Sequence, residues 1–203
     1  MKFNKDLVDA LVQQGTLHSP RLIEAFLKID RRDFVLVKNV SEAYEDAPLA
    51  IGYEATISQP TTVALMLEWL DARPGEKVLD IGSGSGWTTA LLACLVGRSG
   101  KVTGLEIVPE LVELGKSNLA KYNLAQAQVI QAQENTLGLP DEFFDKILVS
   151  AAASEYPSGL IDQLNAPGRL VVPIRQSVYK IDKDLSGEIY EEKHPGFVFV
   201  PLR

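Results

Sequence analysis

Of the residues that most often bind metals or carry redox chemistry, the 203-residue chain has one cysteine, Cys94, and two widely separated histidines, His18 and His194. A single cysteine excludes an internal disulfide, which suits a reducing cytoplasm, and leaves too few soft ligands for a zinc site. Cys94 itself reads as a small buried hydrophobe on a helix. There is no block of lysine or arginine, and the formal net charge is −7, so attraction to a phosphate backbone is not built in. The one basic pair, Arg31–Arg32, is flanked and cancelled by Asp30 and Asp33. Long apolar runs are missing as well. The longest, Trp87–Gly97, falls far short of the ~20 residues a membrane span needs. The N-terminal "MKFNKDLVDALVQQG" has no apolar h-region, so no signal peptide is expected. Nucleic-acid and membrane partners are therefore not expected, and a cytoplasmic monomer is.

What is present is ordinary for a globular chain: 46% hydrophobic and 23% charged residues, enough for a full core. The organisation expected is an N-terminal part, 1–60, packed on a core, 61–203, in one compact unit. Residues 4–14 and 19–29 read as amphipathic helices, the second opened by Ser19 as N-cap and Pro20 at its first position. Residues 34–60 show no sustained period, and their aromatic and apolar content fits a functional loop better than a disordered linker. From residue 61 strand-length apolar runs alternate with helical patterns. Helices are expected at 60–71, 86–96, 109–122 and 157–164, and strands at 77–82, 101–107, 127–132, 145–153 and 168–174. Nearly continuous apolar strands between helices predict an α/β fold, a doubly wound, mostly parallel seven-stranded sheet of Rossmann-like type. The tail is expected to add two antiparallel strands, "SVYKIDKD" and "GFVFVPL", joined by "LSGEIYEEKHP".

The strand at 77–82 runs into "DIGSGSGW", where Gly82, Ser83, Gly84, Ser85 and Gly86 form a tight, backbone-exposing loop. A dinucleotide fingerprint would place a third small residue where Trp87 stands, which weakens a nicotinamide reading. Asp80 weakens it further, because a carboxylate two residues before the first glycine repels a pyrophosphate. S-adenosyl-L-methionine has no phosphate and carries an ammonium and a sulfonium, which an acid attracts. Glu106, at the end of the next strand with Ile107 after it, is placed to accept ribose hydroxyls. These residues point to S-adenosyl-L-methionine, against the bland alternative of a strand-to-helix turn with no ligand.

Upstream, "EATISQP" puts Thr56, Ser58 and Gln59 just before the helix at 60–71. Either hydroxyl could be that helix's N-cap, a role compatible with substrate binding. Together "AYEDAPLAIGYEATISQP", "VLDIGSGSGWTTALLA", "FDKILVSAAASEYPSGLIDQLNAPGRLVVPI" and "FVFVPL" resemble the protein-L-isoaspartate O-methyltransferase family, in order from about residue 5 to the end. The resemblance implies methyl transfer from S-adenosyl-L-methionine to the side carboxylate of isoaspartyl residues in damaged proteins and peptides, a repair reaction. It implies that Ser58 is the active-site residue, and that Ile57 to Gln59 border both cofactor and substrate. Thr56 is a further candidate for the substrate, and Tyr44 and Asp46 are substrate contacts or loop anchors. A carboxylate with a pKa near ~4 is already ionised at neutral pH, so the lack of a histidine there fits this chemistry.

Departures from the family pattern are visible too. Where it usually shows Gly-Asp-Gly, with an acid facing the adenine, this chain has Gln133-Glu134-Asn135. Glu134, with Asn135 beside it, is the expected cofactor contact. Glu54-Ala55 replaces Gly-Gln, Arg175 replaces a glycine, and a tail that closes over the cofactor in some members is expected to be missing after Arg203. The alternatives left open are a same-fold methyltransferase for another carboxylate and a non-catalytic S-adenosylmethionine-binding relative.

Overall fold

The computed structural model describes residues 1–202. Helices α1 (Asn4–Gln13) and α2 (Pro20–Lys28) come first, followed by 3-10 turns at Arg31–Phe34 and Val37–Glu42. The stretch that lacked a period is thus ordered, and it ends in a small antiparallel hairpin of β1 (Leu49–Gly52) and β2 (Ala55–Ile57). Its turn residues, Tyr53 and Glu54, both have positive φ, 54° and 61°. A two-residue turn of that hand matches the twist of the strands it joins.

The core follows as α3 (Pro60–Leu70), β3 (Lys77–Ile81), α4 (Trp87–Val96), β4 (Lys101–Glu106), α5 (Pro109–Ala120), β5 (Ala127–Gln131) and β6 (Phe144–Val149). It ends with α6 (Ser158–Ile161), β7 (Leu164–Ile174), β8 (Ser177–Lys183) and β9 (Ile189–Pro195). The seven strands β3–β9 form one sheet in the order β5-β4-β3-β6-β7-β8-β9, parallel through β7 and antiparallel in its last two pairings. Both faces are covered, as near-continuous apolar strands require. Val78, Val102, Val129, Leu148 and Val171 pack with α1–α5, while Leu79, Leu105, Ile147, Val149 and Leu170 form a second cluster around α6. The strand order reverses between β3 and β6. The crevice beyond their carboxyl ends is where such sheets bind ligands.

The tail departs from expectation. The partner of β8 is β9, from within the segment expected to be a connection, and "GFVFVPL" is not a sheet strand. Asp184 Oδ1 accepts bonds from Ser186 N, Ser186 Oγ and Glu188 N, and Gly187 sits at φ 87°, which closes the turn early. Gly196, at φ 95°, then turns the chain off the sheet. Phe197 packs edge-on against Trp69, and the chain runs on to bridge Ala152 with Pro201. The helix expected over 157–164 is shorter, and β7 begins at Leu164 instead.

Candidate active site

Two adjoining hollows open at the carboxyl ends of β3, β4 and β6. The larger, about 380 Å³, is walled by the hairpin tip, by the glycine loop, and by Glu106, Ile107 and Val108. That volume is within the range of small-molecule sites. The smaller, about 30 Å³, is lined by Ile57, Ser58, Ser83, Ser85, Trp87 and Thr88, among others. Thr56, Gly82, Gly84 and Ser150 belong to both. Thr56 is exposed at their junction and Ser58 is half-buried in the recess.

Strand alternation sets the acids. Asp80 shares the face of Val78, toward α4, and is fully buried. Its Oδ2 accepts bonds from Thr88 Oγ1 at 2.7 Å and Thr89 Oγ1 at 2.6 Å. Its Oδ1 is buried with no partner among the described residues. Burial pushes the carboxyl up to about 6, the two threonine hydroxyls pull it back, and the nearby Glu106 raises it further. Glu106 ends β4 at the cavity wall. Its Oε2 accepts from Gly84 N at 2.8 Å and its Oε1 from Val108 N at 3.0 Å. Each oxygen keeps a lone pair for a ligand hydroxyl. Gly84 makes that bond at φ 53°, and a Cβ there would lie 3.1 Å from Ile51 Cδ1. Gly86, at φ 87°, starts α4 and lets it approach α5, since a Cβ would meet the Gly115 backbone at 3.3 Å.

The donor set fits S-adenosyl-L-methionine. The paired acceptors of Glu106 suit a ribose diol, and among the described residues neither hollow is lined by a lysine or arginine. Asp80, expected as a direct contact, lines neither hollow, but it leaves a buried, unpartnered carboxylate oxygen beneath the glycine loop that favours a cation nearby.

Several expected contacts fall elsewhere. Glu134 and Asn135 are exposed and outside both hollows, because a turn closed by Thr136 N on Gln133 O sends its two central residues to solvent. Gln133 and Thr136 line the cavity instead. Gln59 lines neither hollow, and its Nε2 donates to Asp46 Oδ2 at 3.1 Å. Asp46 caps α3 from a distance, accepting Thr61 N on Oδ1 at 2.8 Å and Thr61 Oγ1 on Oδ2 at 2.8 Å, and lines neither hollow. Tyr44 is buried with its hydroxyl on Asp30 Oδ2 at 3.0 Å, a loop anchor.

The residues missed in the sequence include Ser150 and Ala151, which the strand-end rule could have found at the end of β6. Val200, Pro201 and Leu202, not expected at the site, also line the cavity. Arg31, which the sequence treated as a cancelled charge, is fully buried and bonded to carbonyls of residues 43–47 and of Ser58.

A family model described as protein-L-isoaspartate(D-aspartate) O-methyltransferase matches residues 1–203. A Methanopyrus kandleri protein named protein-L-isoaspartate O-methyltransferase is 40% identical over 97% of this chain and 89% of its own. An Archaeoglobus fulgidus protein, named protein-L-isoaspartate O-methyltransferase 2, is 40% identical over 97% of this chain and 91% of its own. Among solved structures, a Plasmodium falciparum protein-L-isoaspartate O-methyltransferase in complex with S-adenosyl-L-homocysteine superposes with a TM-score of 0.89 at 27% identity, covering 100% of this chain and 99% of that one.

Proposed function

The chain belongs to the protein-L-isoaspartate(D-aspartate) O-methyltransferase family, and we propose that it methylates the side carboxylate of L-isoaspartyl residues in damaged polypeptides, with S-adenosyl-L-methionine as donor. The observation that carries this reading is the shared wall between the hollows. A cavity with cofactor chemistry and a hydroxyl-lined recess meet at Thr56, Gly82, Gly84 and Ser150. A methyl group and a carboxylate seated on either side of that wall would lie in contact.

When bound, the cofactor supplies an electrophilic methyl on a cationic sulfur. Everything else falls to the protein. Glu106, in the cavity wall, would hold the ribose, the buried Asp80 would attract the ammonium end from behind the glycine loop, and that loop would let the backbone come close. Gln133 and Thr136 border the remaining end of the cavity. At the acceptor, Ser58 Oγ and Thr56 Oγ1 orient a carboxylate that is already ionised and needs no base. Neutral donors align it without neutralising it, and the recess excludes water from the nucleophile. Residues 1–60 supply Ile57 and Ser58 to the recess and the hairpin tip to the larger cavity, and the core from residue 61 onward supplies the glycine loop and Glu106. No helix among the described residues is long and apolar enough to cross a membrane. A net charge of −7 and a single cysteine support a cytoplasmic monomer that acts on polypeptides and not on nucleic acid.

The test uses labelled S-adenosyl-L-methionine and matched peptides with aspartyl or isoaspartyl at one site. Base-labile label on the isoaspartyl peptide alone is expected. Label on the aspartyl peptide points to another carboxylate, and cofactor binding without transfer to either peptide sinks the reading. Ser58→Ala is expected to lower turnover at least ~10-fold while the affinity for S-adenosyl-L-homocysteine holds within about twofold.

A further inference from the structure

Arg31 is the one arginine among the described residues buried to 0% exposure, and it has no hydrogen-bonded carboxylate among them. Its Nη1 donates to the carbonyls of Ala43 at 2.8 Å and Glu45 at 3.1 Å. Its Nη2 donates to Ala47 at 2.8 Å and Ser58 at 3.1 Å. All four Nη hydrogens are used, while Nε has no partner among the described residues. The guanidinium carbon lies 5.3 Å from the centroid of Trp87, which walls the recess. Desolvating a guanidinium is expensive, and carbonyls plus one aromatic face are partial compensation. Burial accordingly pulls its pKa down to about 10, against the raising effect of Asp46.

Such an arrangement is more than a loop anchor requires. Three carbonyls would tether residues 43–47, yet the fourth belongs to Ser58, on the far side of the hairpin. The fork geometry therefore fixes the backbone of Ser58 relative to Trp87 and to the loop behind it. We propose that Arg31 is a positioning residue for methyl transfer: it gathers the 43–47 loop and the Ser58 carbonyl around one guanidinium and so sets where the Ser58 hydroxyl points in the recess. Arg31 touches neither hollow, and its effect passes through Ser58 and Trp87. The consequence for turnover rests on the reading of Ser58 given above, whereas the tether itself does not.

A lysine in place of Arg31 keeps a charge but has three donors on one nitrogen and cannot span four carbonyls. The test compares Arg31→Lys and Arg31→Met with wild type and with Arg32→Gln, an exposed neighbour on the same turn. Three readouts are needed: kcat and KM on an isoaspartyl peptide, calorimetric affinity for S-adenosyl-L-homocysteine, and amide exchange by peptide. For Arg31→Lys we expect kcat to fall at least ~10-fold and the affinity for S-adenosyl-L-homocysteine to change by no more than about twofold. Amides in 49–58 should exchange at least ~10-fold faster while those in 78–81 are unchanged, and Arg32→Gln should match wild type. If wild type transfers no methyl to the peptide, the proposed activity fails, and exchange in 49–58 alone decides the tether. Unchanged exchange there overturns the inference, as does a kcat within twofold of wild type. Failure of both Arg31 variants to fold, seen as lost circular dichroism and lost cofactor binding together, also overturns it, since Arg31 is then a general core anchor.

Discussion

Asp80 carries the sharpest electrostatic consequence. Its carboxyl sits at about 6 in the folded protein against an ordinary 3.8, chiefly because burial disfavours the charged form. The folded state therefore prefers the protonated acid, and the stability this contributes is lost as pH rises through about 6. A cationic ligand has the opposite preference and needs the acid ionised. Affinity for S-adenosyl-L-homocysteine, which keeps the ammonium, is expected to be constant above about pH 6 and to weaken by up to tenfold per unit below it. Calorimetric titrations from pH 5 to 7.5 check this, and a flat wild-type profile would remove Asp80 from the site. Asp80→Asn is expected to flatten the profile, weaken binding throughout and stabilise the ligand-free protein at pH 8. The last effect is on the order of 3 kcal/mol at most. The places of Asp80 and Glu106 near the carboxyl ends of adjacent strands were legible in the sequence because strand, glycine turn and next strand are local patterns. Arg31 was not, because its partners are main-chain carbonyls from four places, and a carbonyl leaves no trace in residue identity.

At the level of elements, the start of α3 shows how one residue can serve a site without touching its ligand. Gln59 heads the helix but makes no side-chain cap, and Asp46 reaches across to bind Thr61 N and Thr61 Oγ1. Asp46→Ala is expected to destabilise the fold by about 1–2 kcal/mol, the usual value of a helix cap. Asp46→Asn, which can still accept on its carbonyl oxygen, is expected to recover at least half of that. Urea denaturation midpoints decide it, and equal losses in the two variants would mean that charge beside Arg31 and not capping is what matters. The hairpin and the tail explain where pattern reading stopped. The β1–β2 turn uses Tyr53 and Glu54 in left-handed conformations and so lacks the glycine or asparagine that announces such turns. "IYEEKHP" forms the edge strand despite its charges, which edges tolerate, while the better strand former "GFVFVPL" was needed elsewhere.

For the whole molecule, the sheet's reversal point is only a floor. The hollows exist because segments distant in sequence are folded over it: the hairpin from one side and residues 200–202 from the other. The second cover is held by aromatic packing, with Phe197 edge-on to Trp69 and stacked with Phe199. A double variant, Phe197→Ala with Phe199→Ala, is expected to weaken S-adenosyl-L-homocysteine binding about tenfold, equivalent to ~1.4 kcal/mol. The pH dependence set by Asp80 should persist in it. Unchanged affinity would show that the tail merely passes by. The fold class followed from alternating apolar runs, but no local pattern announces a cover assembled from distant parts of the chain.

Trp87 walls the recess, packs edge-on against Phe26 at 5.6 Å, and has an indole N–H with no hydrogen-bond partner among the described residues. The only other tryptophan, Trp69, stacks on His194 with centroids 3.9 Å apart, against the β8–β9 edge. An unpaired indole beside a site meant for charged molecules is an optical probe supplied by the fold. Charge brought to the recess shifts the field across that ring, so filling the site registers as a change in intrinsic fluorescence, with no label attached.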